Sequence, residues 1–131
     1  MPFLIDGNNL MPAQGEIGPE IGRQGLCERL ERLAERGERI CVVFDGPPPP
    51  EPTLRGLAEL HVEAIFASPR TADEIILERI SADSAPRRLV VVSTDREIRQ
   101  AARRRRCPAR TSQEFARMLA DLHNSVPRGP D

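Results

Sequence analysis

Three apolar runs in this chain end in the same way, on an aspartate. The runs are Phe3–Asp6, Ile40–Asp45 and Leu89–Asp95. Short apolar runs bounded by turn residues are typical of strands buried on both faces, as in a parallel sheet. All strands of such a sheet end at the same edge, which is where open α/β sheets bind ligands. The three carboxylates are therefore predicted to gather at one edge. Because like charges repel at short range, such a cluster favours a bound cation.

Strand and helix patterns alternate along the chain. The first strand is predicted to turn at Gly7–Asn9 and to continue as a loop over residues 11–18. The remaining predicted elements are a helix between Pro19 and Gly37, the second strand 40–45, a short helix 53–59, an amphipathic strand 60–66 nearer an edge, helices 72–82, 95–106 and 112–122, and a short edge strand 107–110. Such alternation predicts an α/β fold, a three-layer α/β/α sandwich with a mostly parallel sheet of four to five strands.

Three segments with the pattern Thr-x-x-Glu precede the last three predicted helices. They are Thr71–Glu74, Thr94–Glu97 and Thr111–Glu114. In a capping box the threonine hydroxyl and the glutamate carboxylate bind backbone amides that the helix leaves unpaired. Each segment is therefore predicted to begin a helix.

Length and composition indicate one folded domain. The 131 residues are predicted to form a single domain over 1–123, followed by a flexible tail over 124–131. The net charge of −1 gives no overall attraction to nucleic acid or to a membrane, so a polyanion would need a local patch.

Several features predict a cytoplasmic protein. The three cysteines, Cys27, Cys41 and Cys107, are widely spaced and fit buried reduced thiols better than a disulfide or a zinc site. Asp6 interrupts the N-terminal apolar run too early for a signal peptide. No apolar run is long enough to cross a bilayer.

The acidic residues differ in how strongly their position indicates function. Asp6 and Asp45 each end an apolar strand and precede glycine. Asp-Gly is also common in turns, but two such residues at corresponding strand ends favour a functional site. Asp73 and Asp95 lie at the start of predicted helices, where a negative charge is stabilising in any case. For these two, a catalytic and a purely structural interpretation both stay open.

A basic segment follows Asp95. Arg96, Arg99 and Arg103 fall on one helical face, along which a phosphate backbone would meet several guanidinium groups. The four consecutive arginines 103–106 fit a solvated helix end equally well. Asn8 and Asn9, next to Asp6, either tolerate the turn geometry or position water or substrate.

Four segments together resemble a known family. In chain order they are Asp6-Gly7-Asn8-Asn9-Leu10, Val42-Val43-Phe44-Asp45-Gly46, Thr71-Ala72-Asp73-Glu74-Ile75-Ile76 and Ser93-Thr94-Asp95-Arg96-Glu97. They resemble motifs of NYN domains, a branch of the PIN-like nucleases, and the resemblance covers nearly the whole chain. Asn8 stands where the family's opening motif has tyrosine.

The resemblance implies a PIN-like fold and an endoribonuclease that depends on Mg²⁺ or Mn²⁺ and acts on RNA. The residues that it carries over are Asp6, Asp45, Asp73 and Asp95 as catalytic metal ligands and Asn9 as the motif asparagine. Arg96, Arg99 and Arg103 are the predicted RNA contacts. A non-catalytic RNA-binding or scaffold module is the alternative. A phosphatase of the haloacid dehalogenase type is disfavoured, since Asn8 stands where its second aspartate is expected. The sequence leaves the oligomeric state open, a homodimer included.

Overall fold

The computed structural model describes residues 1–125. Its elements, in chain order, are β1 Pro2–Asp6, α1 Gly7–Ile17, α2 Arg23–Glu35, β2 Arg39–Phe44, α3 Glu51–Ala58, β3 Glu63–Phe66, α4 Ala72–Ala82, β4 Val90–Val92, α5 Arg96–Arg104, β5 Ala109–Arg110 and α6 Ser112–Ser125. A single 3₁₀ turn, Pro86–Arg88, precedes β4. Of the tail predicted over 124–131, the first two residues belong to α6 and the rest lie outside the described residues.

The five strands form one parallel sheet in the order β3-β2-β1-β4-β5. The three apolar runs supply the central strands, and Ile5 of β1 lies opposite Val42 of β2 and Val92 of β4. The amphipathic third strand and the short fifth strand form the two edges, as the sequence predicted. Buried apolar strands thus occupy the middle of the sheet because both of their faces are covered.

Helices cover both faces of the sheet. Ile5, Val42 and Val92 face a layer that contains Leu10 of α1, Leu30 of α2 and Phe115 of α6. The alternate residues Leu4, Val43 and Val91 face Ile76 of α4 and Ile98 of α5. Successive side chains of a strand point to opposite faces, so a continuously apolar strand fits between two helical layers. The predicted α/β/α sandwich is confirmed.

The segment after β1 differs from its prediction. Residues 7–17, expected as a turn and a loop, form helix α1, with Leu10 and Ala13 buried. The local sequence contains two glycines, two asparagines and Pro12, all poor helix formers in isolation. Packing of the apolar face against the sheet outweighs this low propensity.

The second helix and the third strand are shorter than predicted. Helix α2 begins at Arg23, after Gly22 at its N-cap, and not at Pro19. Strand β3 begins at Glu63 and not at Leu60. Val62 lies just before β3 and is buried like a strand residue. The alternation of apolar and polar residues therefore begins before the strand does, and the predicted strand was too long.

Candidate active site

The sheet register places the end of β1 beside the end of β4. Ile5 pairs with Val92, so Asp6 and Ser93 are neighbours at the carboxyl edge of the sheet. Asp6 shares the face of Leu4, which is the face covered by α4 and α5. Both helices begin at this edge, because each follows a strand that ends there. The first turns of α4 and α5 therefore border Asp6.

Asp6 is almost fully buried, at 2% exposure, and both of its carboxylate oxygens are bound. Oδ1 accepts from the backbone N–H of Asn9 at 3.3 Å, which caps helix α1, and Oδ2 accepts from the Ser93 hydroxyl at 3.0 Å. Burial raises the pKa of Asp6 to about 6, with smaller contributions from the charges of Asp73 and Asp45. The two hydrogen bonds oppose this rise but do not cancel it.

Ser93 links the loops after β1 and β4. Its fully buried hydroxyl accepts from the Asp95 backbone N–H at 3.0 Å and lies 3.1 Å from Asn9 Oδ1. Asn9 Oδ1 also accepts from the Thr94 N–H at 3.0 Å. Ser93 has one hydroxyl proton, so it donates either to Asp6 or to Asn9. Ser93 was not among the predicted site residues, although its position directly after β4 was a usable signal.

Asn8 and Asp45 connect the ends of β1 and β2. Asn8 Oδ1 accepts from the Asp45 backbone N–H at 2.6 Å. The Asp45 carboxylate in turn accepts from the Ala72 N–H at 2.7 Å, at the first residue of α4. Asn8, at the position where the family motif has tyrosine, thus holds the backbone that carries Asp45.

Gly7 is required by close packing at this junction. A Cβ atom at Gly7 would lie 2.4 Å from Cε1 of Phe44, a ring that is fully buried. The Asp-Gly pair after β1 is thereby explained by contact between α1 and β2.

Asp73 is the one acidic residue of the four that has no local partner. It makes no hydrogen bond or ion pair with any residue of the described part of the chain. Partial burial raises its pKa, and the charges of Asp95, Asp45 and Glu97 raise it further. Asp73 therefore lies within electrostatic range of three other carboxylates, and no cationic side chain among residues 1–125 pairs with it to relieve the repulsion.

The start of α5 differs from the predicted capping box. Asp95 is the N-cap, and its Oδ1 accepts from the N–H groups of Glu97 and Ile98 at 2.8 and 3.4 Å. The predicted cap at Thr94 is wrong, because α5 begins at Arg96 and the side chain of the preceding residue, Asp95, caps it. Glu97 is thereby released from capping and joins the acidic cluster around Asp73.

The other two threonines cap their helices as predicted. Thr71 Oγ1 accepts from the Glu74 N–H at 3.2 Å, and Thr111 Oγ1 accepts from the Glu114 N–H at 3.1 Å. Glu114 Oε1 accepts in return from the Thr111 backbone N–H at 3.1 Å, which completes the predicted capping box, whereas Glu74 Oε1 accepts from the Thr71 hydroxyl at 3.2 Å and not from its backbone.

The cluster consists of oxygen donors, the ligands that hard divalent cations prefer. Between residues 1 and 125, no set of three or more His, Cys, Asp or Glu side chains is close enough together to hold a metal ion directly. The unrelieved repulsion at Asp73 and the raised pKa of Asp6 suit a cation at this edge. Mg²⁺ retains several of its water ligands, so the residues fit an ion held largely through water.

The predicted RNA-contacting arginines fall into two groups. Arg96 and Arg103 are exposed and make no hydrogen bond or ion pair within residues 1–125. Arg99 is half-buried, and its Nη1 donates to the carbonyls of Ser93 and Thr94 at 3.2 and 2.6 Å. Unlike Arg96 and Arg103, Arg99 is therefore not freely exposed. Its guanidinium fixes the loop that carries Ser93.

Another cavity lies away from these carboxylates. It has a volume of about 520 Å³ and lies at the amino edge of the sheet, beside Pro2, Arg39 and Ile40. Several polar side chains in its wall are paired, as in the contacts Arg79–Glu63 at 3.3 Å and His61–Glu31 at 2.8 Å. Its position at the opposite edge of the sheet separates it from the acidic site.

A parallel α/β/α sandwich with an acidic cluster at the carboxyl edge defines a PIN-like domain. Within that class, the YacP-like NYN domain family matches residues 3–128, and the chain belongs to this family. The resemblance to NYN domains is confirmed, and it supports a nuclease-like, RNA-related function.

Two solved structures share the fold. The crystal structure of Rae1 (YacP) from Bacillus subtilis superposes with a TM-score of 0.69 and 22% identity, covering 95% of this chain and 76% of that one. A mutant form of the same protein gives a TM-score of 0.70 and 21% identity, covering 94% and 77%. No curated protein matches the chain. None of the helices within residues 1–125 has the length and apolar character that a membrane span requires.

Proposed function

We propose that this protein is a divalent-metal-dependent endoribonuclease that hydrolyses RNA phosphodiester bonds at the acidic edge of its sheet. The observation that carries the proposal is Asp73. It lies among like charges and contributes to no cap, hydrogen bond or ion pair of the described fold. Asp73 lies in the first turn of α4, where the helix dipole favours a negative charge, yet its side chain has no partner and adjoins other carboxylates. Such an unpaired carboxylate among like charges is typical of a functional site.

Asp6, Asp45, Asp73 and Asp95 would hold Mg²⁺ or Mn²⁺, in large part through water. The ion, when bound, supplies a water of lowered pKa and stabilises charge on the phosphate.

The remaining residues of the site position these acids. Ser93 and Asn9 fix the orientation of Asp6, and Asn8 fixes the backbone of Asp45. The predicted role of Asn9, to orient water or phosphate, is replaced in this proposal by positioning, since its Oδ1 is bound to Thr94. Arg96 and Arg103 would contact the phosphates that flank the cleaved bond.

We place the reaction in the cytoplasm. The three cysteines are free thiols, and two of them, Cys27 and Cys107, are buried. Proteins without disulfides are typical of a reducing compartment.

A non-catalytic RNA-binding module is the second candidate, and one observation favours it. Asp6 and Asp95 are the N-caps of α1 and α5, and Asp45 binds the first N–H of α4. These three acids would be useful to the fold even without catalysis. Only an activity assay separates the two functions.

The test is cleavage of a single-stranded RNA labelled at its 5′ end. We expect cleavage within the strand in the presence of Mg²⁺ or Mn²⁺ and none in chelator. A protein that binds this RNA in chelator but leaves it intact with either metal would be the scaffold, and the nuclease proposal would be wrong.

Charge reversal at Arg96 and Arg103 tests the proposed phosphate contacts. We expect the double variant to bind RNA more weakly, with the slope of log affinity against log salt reduced by about one for each lost phosphate contact. Arg117→Glu, at an exposed position of α6, is the matched control. An equal loss of affinity in the control would show that net charge, and not phosphate contacts of Arg96 and Arg103, causes the effect. Arg99 is unsuitable for this test, because its substitution would release the Ser93 loop.

A further inference from the structure

A groove of about 490 Å³ runs along the outer side of α1. Asn8 lines one end of this groove, and its Oδ1 accepts from the backbone N–H of Asp45. Glu16, eight residues further along the helix, lines it about 12 Å away at a rise of 1.5 Å per residue. The groove therefore shares Asn8 with the loop that carries Asp45.

The lining of the groove combines apolar walls with unpaired acceptors. Met11, Pro12 and Ile21 supply the apolar surface. Glu16 and Glu20 are exposed and make no hydrogen bond or ion pair within the described part of the chain. An apolar slot with carboxylate acceptors at its rim suits a flat ring that carries N–H donors on its edge.

Gly15 leaves space for Glu20 beside the helix. A Cβ at Gly15 would lie 3.3 Å from Cγ of Glu20, so glycine permits the glutamate stem to approach α1. Glu20, from the segment between α1 and α2, lines the same groove as Glu16.

We propose that this groove binds a nucleobase of the RNA strand and selects bases with an exocyclic amino group over uracil. Unpaired bases of single-stranded RNA are recognised through their edges. Glutamate accepts from the exocyclic amino group of cytosine, whereas uracil has a carbonyl oxygen at that position and offers a carboxylate only its N3–H, which lies between two carbonyl oxygens. The two negative charges also keep phosphate out of the groove. This inference rests on the proposed function, since it assumes that RNA is the substrate.

The test compares oligo(C) with oligo(U), two RNAs that differ only in the base edge. Binding is measured by fluorescence anisotropy in chelator, so that cleavage plays no part. We expect the wild type to bind oligo(C) about tenfold more tightly than oligo(U). Glu16→Gln combined with Glu20→Gln should bring the ratio close to one. The matched control is Glu59→Gln with Asp121→Asn, which removes two exposed acids away from the groove and should keep the tenfold ratio.

Each other outcome overturns the inference in a different way. If the wild type binds both RNAs equally, the inference of base selection is wrong, and the nuclease proposal is unaffected. No binding of either RNA in chelator also overturns base selection, and the cleavage assay with Mg²⁺ or Mn²⁺ then tests the nuclease proposal separately. A preference that survives the Glu16 and Glu20 double variant assigns selection to another surface. A groove that binds an arginine-rich peptide, with no difference between the two RNAs, would be a protein-docking site.

Discussion

Asp73→Asn is expected to lower the rate of metal-dependent RNA cleavage by about a hundredfold or more. The substitution keeps the size of the side chain and removes only its charge. Because the Asp73 side chain makes no hydrogen bond or ion pair within residues 1–125 and lies among like charges, the free energy of unfolding should not fall by more than about 0.5 kcal/mol. Asp45→Asn should lower activity to the same extent. Its fold should be retained, because the new amide oxygen can still accept from the Ala72 N–H. Cleavage of labelled RNA and thermal unfolding of the same preparations measure both quantities.

Glu74→Gln is the matched control for this loss of activity. Glu74 follows Asp73 in the first turn of α4, and glutamine retains its capping bond with Thr71. Cleavage should therefore persist. Glu97 cannot serve as a control, because its charge acts on Asp73.

Metal binding gives a second readout that does not depend on activity. Mg²⁺ should raise the unfolding temperature of the wild type by mass action, and that of Asp73→Asn by less. Equal metal-induced stabilisation in both proteins, together with full activity in the variant, would contradict the proposed role of Asp73.

The sheet could be predicted from the sequence because its signal is local. Each central strand is a continuous apolar run, and burial on both faces requires such a run. The parallel direction of the strands follows from the alternation with helices, since parallel strands need crossover connections. The edge positions of β3 and β5 were visible in the polar residues of the one and in Pro108 beside the other.

Helix α1 could not be predicted in the same way. Its sequence is poor in helix-forming residues, and its stability comes from contacts with the sheet and with α6. Gly7 illustrates the problem. In the sequence it indicates a turn, but in the fold it allows Phe44 to approach α1. Contacts between residues distant in the chain determine both the formation of α1 and the need for glycine at position 7.

The same limit applies to the candidate site. The apolar runs that end on Asp6 and Asp45 suffice to predict that both acids lie at one edge of the sheet. The partners of these acids have no local signal, because Ser93 reaches Asp6 from 87 residues away and Asn8 reaches Asp45 from 37. The sequence pattern predicted Thr94 as the cap of α5, whereas the helix begins one residue later than predicted, so that Asp95 takes that position.

Asp6→Asn is expected to stabilise the metal-free protein at neutral pH while abolishing cleavage. Burial raises the pKa of Asp6 from 3.8 to about 6. The ionised carboxylate is thus disfavoured in the folded state. At about 1.36 kcal/mol per pH unit, the difference corresponds to a gain of about 3 kcal/mol when the charge is removed. The new amide can be accommodated, since its oxygen can accept from the Asn9 N–H and its nitrogen can donate to Ser93. The hydroxyl proton of Ser93 is then free to bind Asn9 Oδ1 at 3.1 Å.

The sign of the pH dependence follows from the raised pKa. Between about pH 4 and pH 6 the folded wild type binds more protons than the unfolded chain. Its stability therefore falls as the pH rises through this range. The contribution of Asp6 is fully present below pH 3.8 and is lost above about pH 6. Asp6→Asn has no such titration, so its advantage should be close to zero near pH 4 and largest at pH 7.

Urea unfolding in chelator, from pH 4 to pH 7, measures this difference directly. Subtraction of the wild type from the variant at each pH removes the titration of all shared groups. Asp121→Asn, at an exposed position of α6, is the control and should remain within about 0.5 kcal/mol of the wild type throughout. An advantage of Asp6→Asn that stays constant with pH would show that Asp6 titrates normally. A variant less stable than the wild type at pH 7 would show that the charge of Asp6 supports the fold through Ser93 and Asn9. In either case the strain at this edge would have to come from Asp73 and its neighbours alone.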